Sequence, residues 1–306
     1  MLKTSYAHAS SRTALTTALA AAVALELSGG SACAGTPDVA VGPQYGTAHV
    51  YVAPGDMDRF AAAFVATFGG TATKPQVTHV TPTPSSAEWQ VIRTPEGLVS
   101  LFGYTTPVPY PFGDERTGYL VKDMKLAIAA AKADGAAVLV DVFPDPIGED
   151  AIIQWPGGVD MQIYVHNAAA SAPPLQSVPE NRVYVPPERS DAFIHDFLAF
   201  SHGRVTEDDA HAHGVEIGQP GKTFREVRVD SAFGKVAVLV TDGQLPFPYG
   251  RETTGYEVAD LAGTLARATA AGAAVLAGPY TSRDRSAAIV EFPGGYIAEI
   301  HSPAAR

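Results

Sequence analysis

The chain has 306 residues, 46% hydrophobic and 17% charged, which excludes a disordered polymer and leaves enough apolar surface for two domains. Asp and Glu number 32 against 21 Lys and Arg, a net −11 with no basic cluster, so a phosphate backbone is repelled and nucleic acid is not a partner. A single cysteine rules out an internal disulfide, a cysteine zinc site and an iron–sulfur cluster, which restricts any metal to His and carboxylate ligands.

At the N-terminus, Lys3 and Arg12 precede the apolar run Thr13 to Leu25, and small residues then lead to Ala32-Cys33-Ala34. This is the layout of a secretory signal peptide over residues 1–34, and it predicts an exported protein, periplasmic or secreted. Cleavage after Ala34 leaves 272 residues carrying −12 and no cysteine. Gly30-Ser31-Ala32-Cys33 has the outline of a lipoprotein box, but Gly30 stands where a large aliphatic residue is usual, so a lipid anchor is the weaker reading. No other stretch approaches the ~20 apolar residues that span a bilayer, so the chain is not read as an integral membrane protein.

Next comes a unit in which His49–Ala53 alternates as a strand and Phe60, Phe64 and Phe68 mark one face of a helix that Gly69-Gly70 stops. Strand-like runs follow near 75–80, 89–93 and 98–103, the last two joined by a Pro95-Glu96-Gly97 turn. A second unit opens with a strand over Gly118–Val121 and a helix over Met124–Lys132, capped by Asp123 and ended by Gly135. Its strands lie near 137–142, 151–155 and 160–165, and Pro156-Gly157-Gly158 makes the last hairpin. Residues 167–180, rich in Ala, Ser and Pro without apolar periodicity, read as a linker. A third unit starts at Val183 with a helix near 190–201, and a fourth at Gly255 with a helix over Leu261–Ala270.

The second half repeats the first. Pro109-Tyr-Pro-Phe-Gly-Asp-Glu-Arg-Thr-Gly-Tyr-Leu-Val-Lys-Asp123 overlies Pro246-Phe-Pro-Tyr-Gly-Arg-Glu-Thr-Thr-Gly-Tyr-Glu-Val-Ala-Asp260 at an offset of 137. The same offset carries Gly135-Ala-Ala-Val-Leu139 onto Gly272-Ala-Ala-Val-Leu276, and at 133 Val50-Tyr-Val-Ala-Pro54 matches Val183-Tyr-Val-Pro-Pro187. The order strand, helix, strand, strand, strand therefore occurs four times.

Ala48-His49-Val50-Tyr51-Val52 before an aspartate-led helix, and Pro293-Gly-Gly-Tyr-Ile-Ala-Glu299-Ile-His301 at the far end, resemble the first and last strands of the vicinal oxygen chelate superfamily of glyoxalases, extradiol dioxygenases and bleomycin-resistance proteins. The resemblance covers residues 45–305. It implies an α+β fold of four βαβββ modules in two tandem glyoxalase-like domains, 45–166 and 181–303, whose curved mixed sheets each enclose a cup. It also implies a divalent metal, Fe, Mn, Ni or Zn, held by inward side chains and acting as a Lewis acid on a small oxygenated substrate.

At the family's opening-strand position stand His49, Arg116, Arg182 and Thr253; at the closing-strand position stand Gln162 and Glu299, with Ser100-Leu101 and Ala237-Val238 in the other two modules. Neither half offers two histidines and a carboxylate, and a guanidinium repels a cation. His49, Glu299 and His301 make a metal set only if module one meets module four so that they converge. His79, His211 and His213 are the spare imidazoles, although Glu207 to His213 reads better as a solvated turn. Tyr51, Arg116, Gln162, Tyr164, Arg182 and Tyr184 are the candidate substrate-binding residues, each arginine needing an anionic partner from the protein or from a ligand. Glu115 and Glu252 are candidate partners, although strand alternation sends them to the other face. Two functions remain: an exported metal-dependent lyase, isomerase or dioxygenase, or a metal-free protein that binds or sequesters a small anionic or aromatic compound. Four modules complete two cups in one chain, which suits a monomer and leaves a homodimer open.

Overall fold

The computed structural model describes residues 38–169 and 171–304, so the export segment read from the sequence lies outside the described residues. In the first half the elements are β1 (Thr47–Val52), α1 (Met57–Phe68), β2 (Thr71–Ala72), β3 (Gln76–His79), β4 (Ser86–Thr94), β5 (Gly97–Tyr104), β6 (Arg116–Leu120), α2 (Met124–Ala133), β7 (Ala137–Asp145), β8 (Gly148–Trp155) and β9 (Val159–His166). The second half contains β10 (Glu180–Val185), α3 (Pro187–Ser201), β11 (Arg204–His213), β12 (Thr223–Ser231), β13 (Gly234–Val240), β14 (Thr253–Glu257), α4 (Leu261–Ala270), β15 (Ala274–Ser282), β16 (Arg285–Glu291) and β17 (Ile297–Pro303).

Two curled mixed sheets result. One has nine strands in the order β2-β4-β5-β1-β6-β9-β8-β7, with β3 also on β4; the other has eight, β11-β12-β13-β10-β14-β17-β16-β15. In each, the opening strand of a module runs parallel to that module's last strand, as β1 to β5 and β14 to β17, while opening strands meet antiparallel, as β1 to β6. The helices start as the sequence predicts where caps are present: Asp123 accepts from the Leu126 amide at 2.8 Å and Asp260 from Gly263 at 2.9 Å. Helix α3 begins three residues earlier than the apolar pattern suggested, because Pro187 takes its first position, where a missing N–H costs nothing.

Strand alternation divides each sheet into two faces. Ala48, Val50 and Val52 of β1 and Val99 and Leu101 of β5 join Phe60, Phe64 and Phe68 of α1 in one core. That core also takes in Tyr256, Leu261, Leu265 and Ile300 from the fourth module, and α1 packs on α4. A second core likewise unites modules two and three, from Met124 and Ile163 to Phe197 and Val238. The helix-covered faces are thus buried against each other, and the concave faces are left on the outer sides. Tyr119 and Tyr256 lie in these cores, on the strand faces turned toward the helices. Among the described residues no helix is long and apolar enough to cross a membrane.

Two local expectations change. Residues 207–213 are not a turn but part of edge strand β11, paired with β12, whose acids meet Arg225, Arg228 and Arg283 on neighbouring elements. Module one does meet module four, yet through α1 and α4; since Ala48 and Val50 face that contact, His49 between them points away from it, into its own cup.

Candidate functional site

The N-terminal cup encloses a cavity of about 410 Å³. Its floor is the set of alternate residues that the core does not use: Thr47, His49 and Tyr51 from β1, Ser100, Phe102 and Tyr104 from β5, Arg116 from β6, and Gln162, Tyr164 and His166 from β9. Register puts His49 beside Ser100 on one side and beside Arg116 on the other, while Gln162 is level with Gly118. The glycine is required there, since a Cβ on residue 118 would stand 2.6 Å from the His49 ring.

Arg116 is 4% exposed. Its Nε and Nη2 donate to Gln162 Oε1 at 3.0 and 2.6 Å, and its Nη1 donates to the carbonyls of Pro111 and Asp114, both at 2.8 Å. All of these acceptors are neutral, and among the described residues no carboxylate comes within ion-pairing distance of the guanidinium. Gln162 turns its amide the other way to donate from Nε2 to Asp150 Oδ2 at 2.6 Å. Burial, reinforced by Asp145, pushes the Asp150 carboxyl up to about 7. The guanidinium carbon also sits 6.0 Å from the Tyr51 ring centroid.

His49 is 8% exposed, and its Nδ1 is buried without a hydrogen-bond partner. Burial, then the Arg116 charge, lowers it to about 3, so the ring is neutral at any ordinary pH. It stacks on Phe102 at 6.1 Å and 11°, and Phe102 is in turn near parallel to Tyr51 and Tyr104. Trp89 donates from Nε1 to Ser100 Oγ at 2.7 Å, and Phe112 and Phe143, edge to face, also line the cavity. Tyr164 shares a 3.1 Å hydrogen bond with the Thr47 hydroxyl and donates to the Tyr45 carbonyl.

The C-terminal cup is built on the same path with opposite contents. Arg182, the counterpart of His49, is 1% exposed and lies 3.0 Å from Glu180, 3.0 Å from Glu299 and 4.0 Å from Glu216. Its Nη2 approaches Glu299 Oε2 as an ion contact rather than an aligned hydrogen bond. Arg285 donates to Glu180 at 2.9 Å and to Glu299 at 3.4 Å, and His301 Nδ1 lies 3.0 Å from Glu299. Burial alone would raise Glu299, but Arg182, His301 and Arg285 overcome it and hold the carboxyl at about 2. Here the cup is filled with its own counter-ions. Tyr184 packs beside Ala212, Ile217, Phe224 and Leu239 rather than around an open space.

The predicted residues therefore separate. Tyr51, Arg116, Gln162, Tyr164 and His49 converge on the open cavity, whereas Arg182, Tyr184, Glu299 and His301 belong to the filled cup. The metal set of His49, Glu299 and His301 is not assembled, because His49 and the other two stand on different sheets that turn their concave faces apart. Neither cup's donors fit a divalent ion. Around His49 the register neighbours are a serine, a guanidinium and an amide whose oxygen Arg116 already occupies; around Glu299 two buried guanidinium groups hold the place of a cation. Among the described residues no group of three or more His, Cys, Asp or Glu is placed to hold a metal ion. His79 does line the cavity, with Nδ1 3.2 Å from the Ser86 hydroxyl, while His211 and His213 are exposed on β11. Glu252 accepts from the Thr117 amide at 3.1 Å on the back face, so neither it nor Glu115 partners an arginine of the cups; burial pushes both up to about 8.

Sequence reading missed Trp89, Phe102, Tyr104, Phe143 and Asp150, and it missed that Ala168, Ala169, Ser171 and Ala172 of the connection between halves line the cavity. Phe102 and Tyr104 were within reach, being two apart on a strand and in phase with Ser100. Asp150 was not, since only its pairing with Tyr164 brings it inward.

No family model matches the chain, and no curated protein sequence does. Among solved structures, a mutant of 4-hydroxymandelate synthase from Streptomyces coelicolor superposes with a TM-score of 0.54 at 14% identity, covering 86% of this chain and 93% of that one. An extradiol ring-cleaving dioxygenase from B. fuscum gives 0.54 at 14%, covering 89% and 74%, and a fusion of a xylose isomerase-like TIM barrel with 4-hydroxyphenylpyruvate dioxygenase gives 0.53 at 16%, covering 89% and 50%. These structural neighbours are members of the vicinal oxygen chelate superfamily, and the chain has their fold.

Proposed function

We propose that the protein is a metal-free small-molecule binding protein of the vicinal oxygen chelate fold, exported through residues 1–34, whose single working site is the N-terminal cup. One observation carries the reading: a buried arginine at an open cavity has only neutral acceptors, in the half of the molecule where the fold's metal position lacks ligands. A cavity of about 410 Å³ is in the range of ~300–1,000 Å³ usual for small-ligand sites. The C-terminal cup serves as a structural partner, its arginines paired with its own carboxylates.

A second reading, a metal-dependent enzyme, is favoured by the unpartnered His49 Nδ1 alone. Elemental mass spectrometry after incubation with Mn, Fe, Ni and Zn separates the two. Stoichiometric metal that is lost in His49→Ala would overturn the binding-protein account. For the cup itself, Val91→Trp fills the cavity lining; a library screened by thermal shift should stabilise the native protein and leave that variant unmoved. Export is tested by N-terminal sequencing of protein from fractionated cells, which should begin after Ala34.

A further inference from the structure

Resting on the small-molecule reading of the N-terminal cup, we propose that its ligand is a planar aromatic molecule with one negative charge, head on Arg116 and ring along the Tyr51, Phe102 and Tyr104 tier. A guanidinium has five N–H donors. Four contacts to Gln162, Pro111 and Asp114 leave one Nη2 hydrogen, and the other group close to the guanidinium at the cavity, the Tyr51 phenol, is neutral as well. A cation taken from water to neutral acceptors has lost hydration without gaining a counter-charge, and the duplicate cup displays the alternative. There Arg182 and Arg285 are each given protein carboxylates. In the open cup the lining carboxylates, Asp145 and Asp150, make no ion pair with Arg116 and room is left beside it, so the paired anion comes with the ligand.

The charge is single because Asp145 and Asp150 line the same cavity and would face a second negative group, while Arg93, the other lining cation, is exposed. The body is flat because the floor is flat. The Tyr51 and Phe102 rings are 5.5 Å apart at 23°, Phe102 and Tyr104 6.2 Å apart at 24°, and Phe112 and Phe143 add two further rings to the lining. Such a tier packs against a conjugated ring better than against a flexible chain, which loses rotamer freedom on binding. The His49 imidazole, neutral beside Arg116, adds no second positive charge to the head-group site.

Isothermal titration calorimetry of the full chain with 2-naphthoate, 2-naphthylmethanol, 2-naphthyl phosphate and decanoate tests this. The naphthoate should bind at least tenfold more tightly than each of the other three. Arg116→Met should bring it to the level of the neutral alcohol, whereas Arg116→Lys, which keeps the charge, should retain a preference for the acid and guards against loss through misfolding. Equal binding of the alcohol, the phosphate or decanoate overturns the inference, as does a preference that survives Arg116→Met, or no measurable binding by any probe. Val91→Trp tells the two failures apart: if it abolishes binding but no preference for the monoanion exists, only the ligand class is wrong, and if naphthoate still binds it, the cup is not the site.

Discussion

The two buried arginines make a matched pair of perturbations. Arg182→Met removes the cation but keeps the volume, leaving Glu299, 3.0 Å from the lost guanidinium, and Glu216 at 4.0 Å underpaired, while Glu180 keeps Arg285 at 2.9 Å. Breaking one partner out of a buried ion pair costs about 3–5 kcal/mol, because the remaining charge stays desolvated. At roughly 2–3 °C per kcal/mol for a chain of this size, the melting temperature should fall by ~6–15 °C. Combining it with Glu299→Gln removes a stranded charge and should restore a third or more of the loss. Arg116→Met strands no carboxylate; it gives up hydrogen bonds to Gln162, Pro111 and Asp114 but also removes an uncompensated buried charge, so its melting temperature should fall less than that of Arg182→Met. Differential scanning calorimetry at neutral pH decides the matter. If Arg116→Met is the more damaging of the two, or the double variant is worse than Arg182→Met alone, the division into a filled cup and an open cup is wrong.

Stability should fall as pH rises from about 5 to 8. Asp150, Glu115 and Glu252 are pushed up to about 7, 8 and 8, so the folded chain holds protons that the unfolded chain has released, and stability present below the unfolded carboxylate range is lost as pH climbs through the folded values. These residues are half-buried, so each contributes a fraction of the ~1.4 kcal/mol per pH unit that full protection would give. Urea titrations across that range should show the decline, and Glu252→Gln should flatten it; a rise with pH contradicts the assignment. Glu299, held at about 2, works in the opposite sense, and the stability it confers should disappear only as pH falls from about 4.5 through 2, a loss absent in Glu299→Gln. Affinity for 2-naphthoate should weaken as pH rises through about 7, since ionised Asp150 then opposes an anion at Arg116 across Gln162, and Asp150→Asn should remove that dependence. Gly118→Ala should destabilise the fold by ~1–3 kcal/mol and impair binding, because its methyl would meet the His49 ring at 2.6 Å; Gly255→Ala, whose nearest contact is 3.3 Å, should be milder in a chemical denaturation series.

Much of the architecture was legible because it rests on local, repeated signals. Period-four phenylalanines, Asp123 and Asp260 as caps, and the 137-residue echo of Gly-Tyr motifs are properties of the chain read one segment at a time. Alternation alone also assigned Tyr119 and Tyr256 to the helix side and Tyr51 and Arg116 to the cup side. What alternation could not say was which partner an inward arginine meets. Arg116 and Arg182 look alike in sequence, each on an opening strand beside a glutamate-bearing segment. The difference comes from strands far away: Glu299 and Arg285 are brought in on β17 and β16 in one cup, Gln162 and Asp150 on β9 and β8 in the other.

The sequence by itself determined the modules, their order, the two aspartate-capped helix starts and the inward or outward side of the opening strands, because these follow from hydrophobic periodicity and backbone hydrogen bonding within about ten residues. Tertiary structure alone decided that one cup is open and the other closed, that His49 and Glu299 never meet, and that the connection between the halves forms part of a cavity wall. The reason is physical: whether a buried charge is neutralised depends on which groups lie within a few ångströms, and register between distant strands, not spacing along the chain, sets those distances.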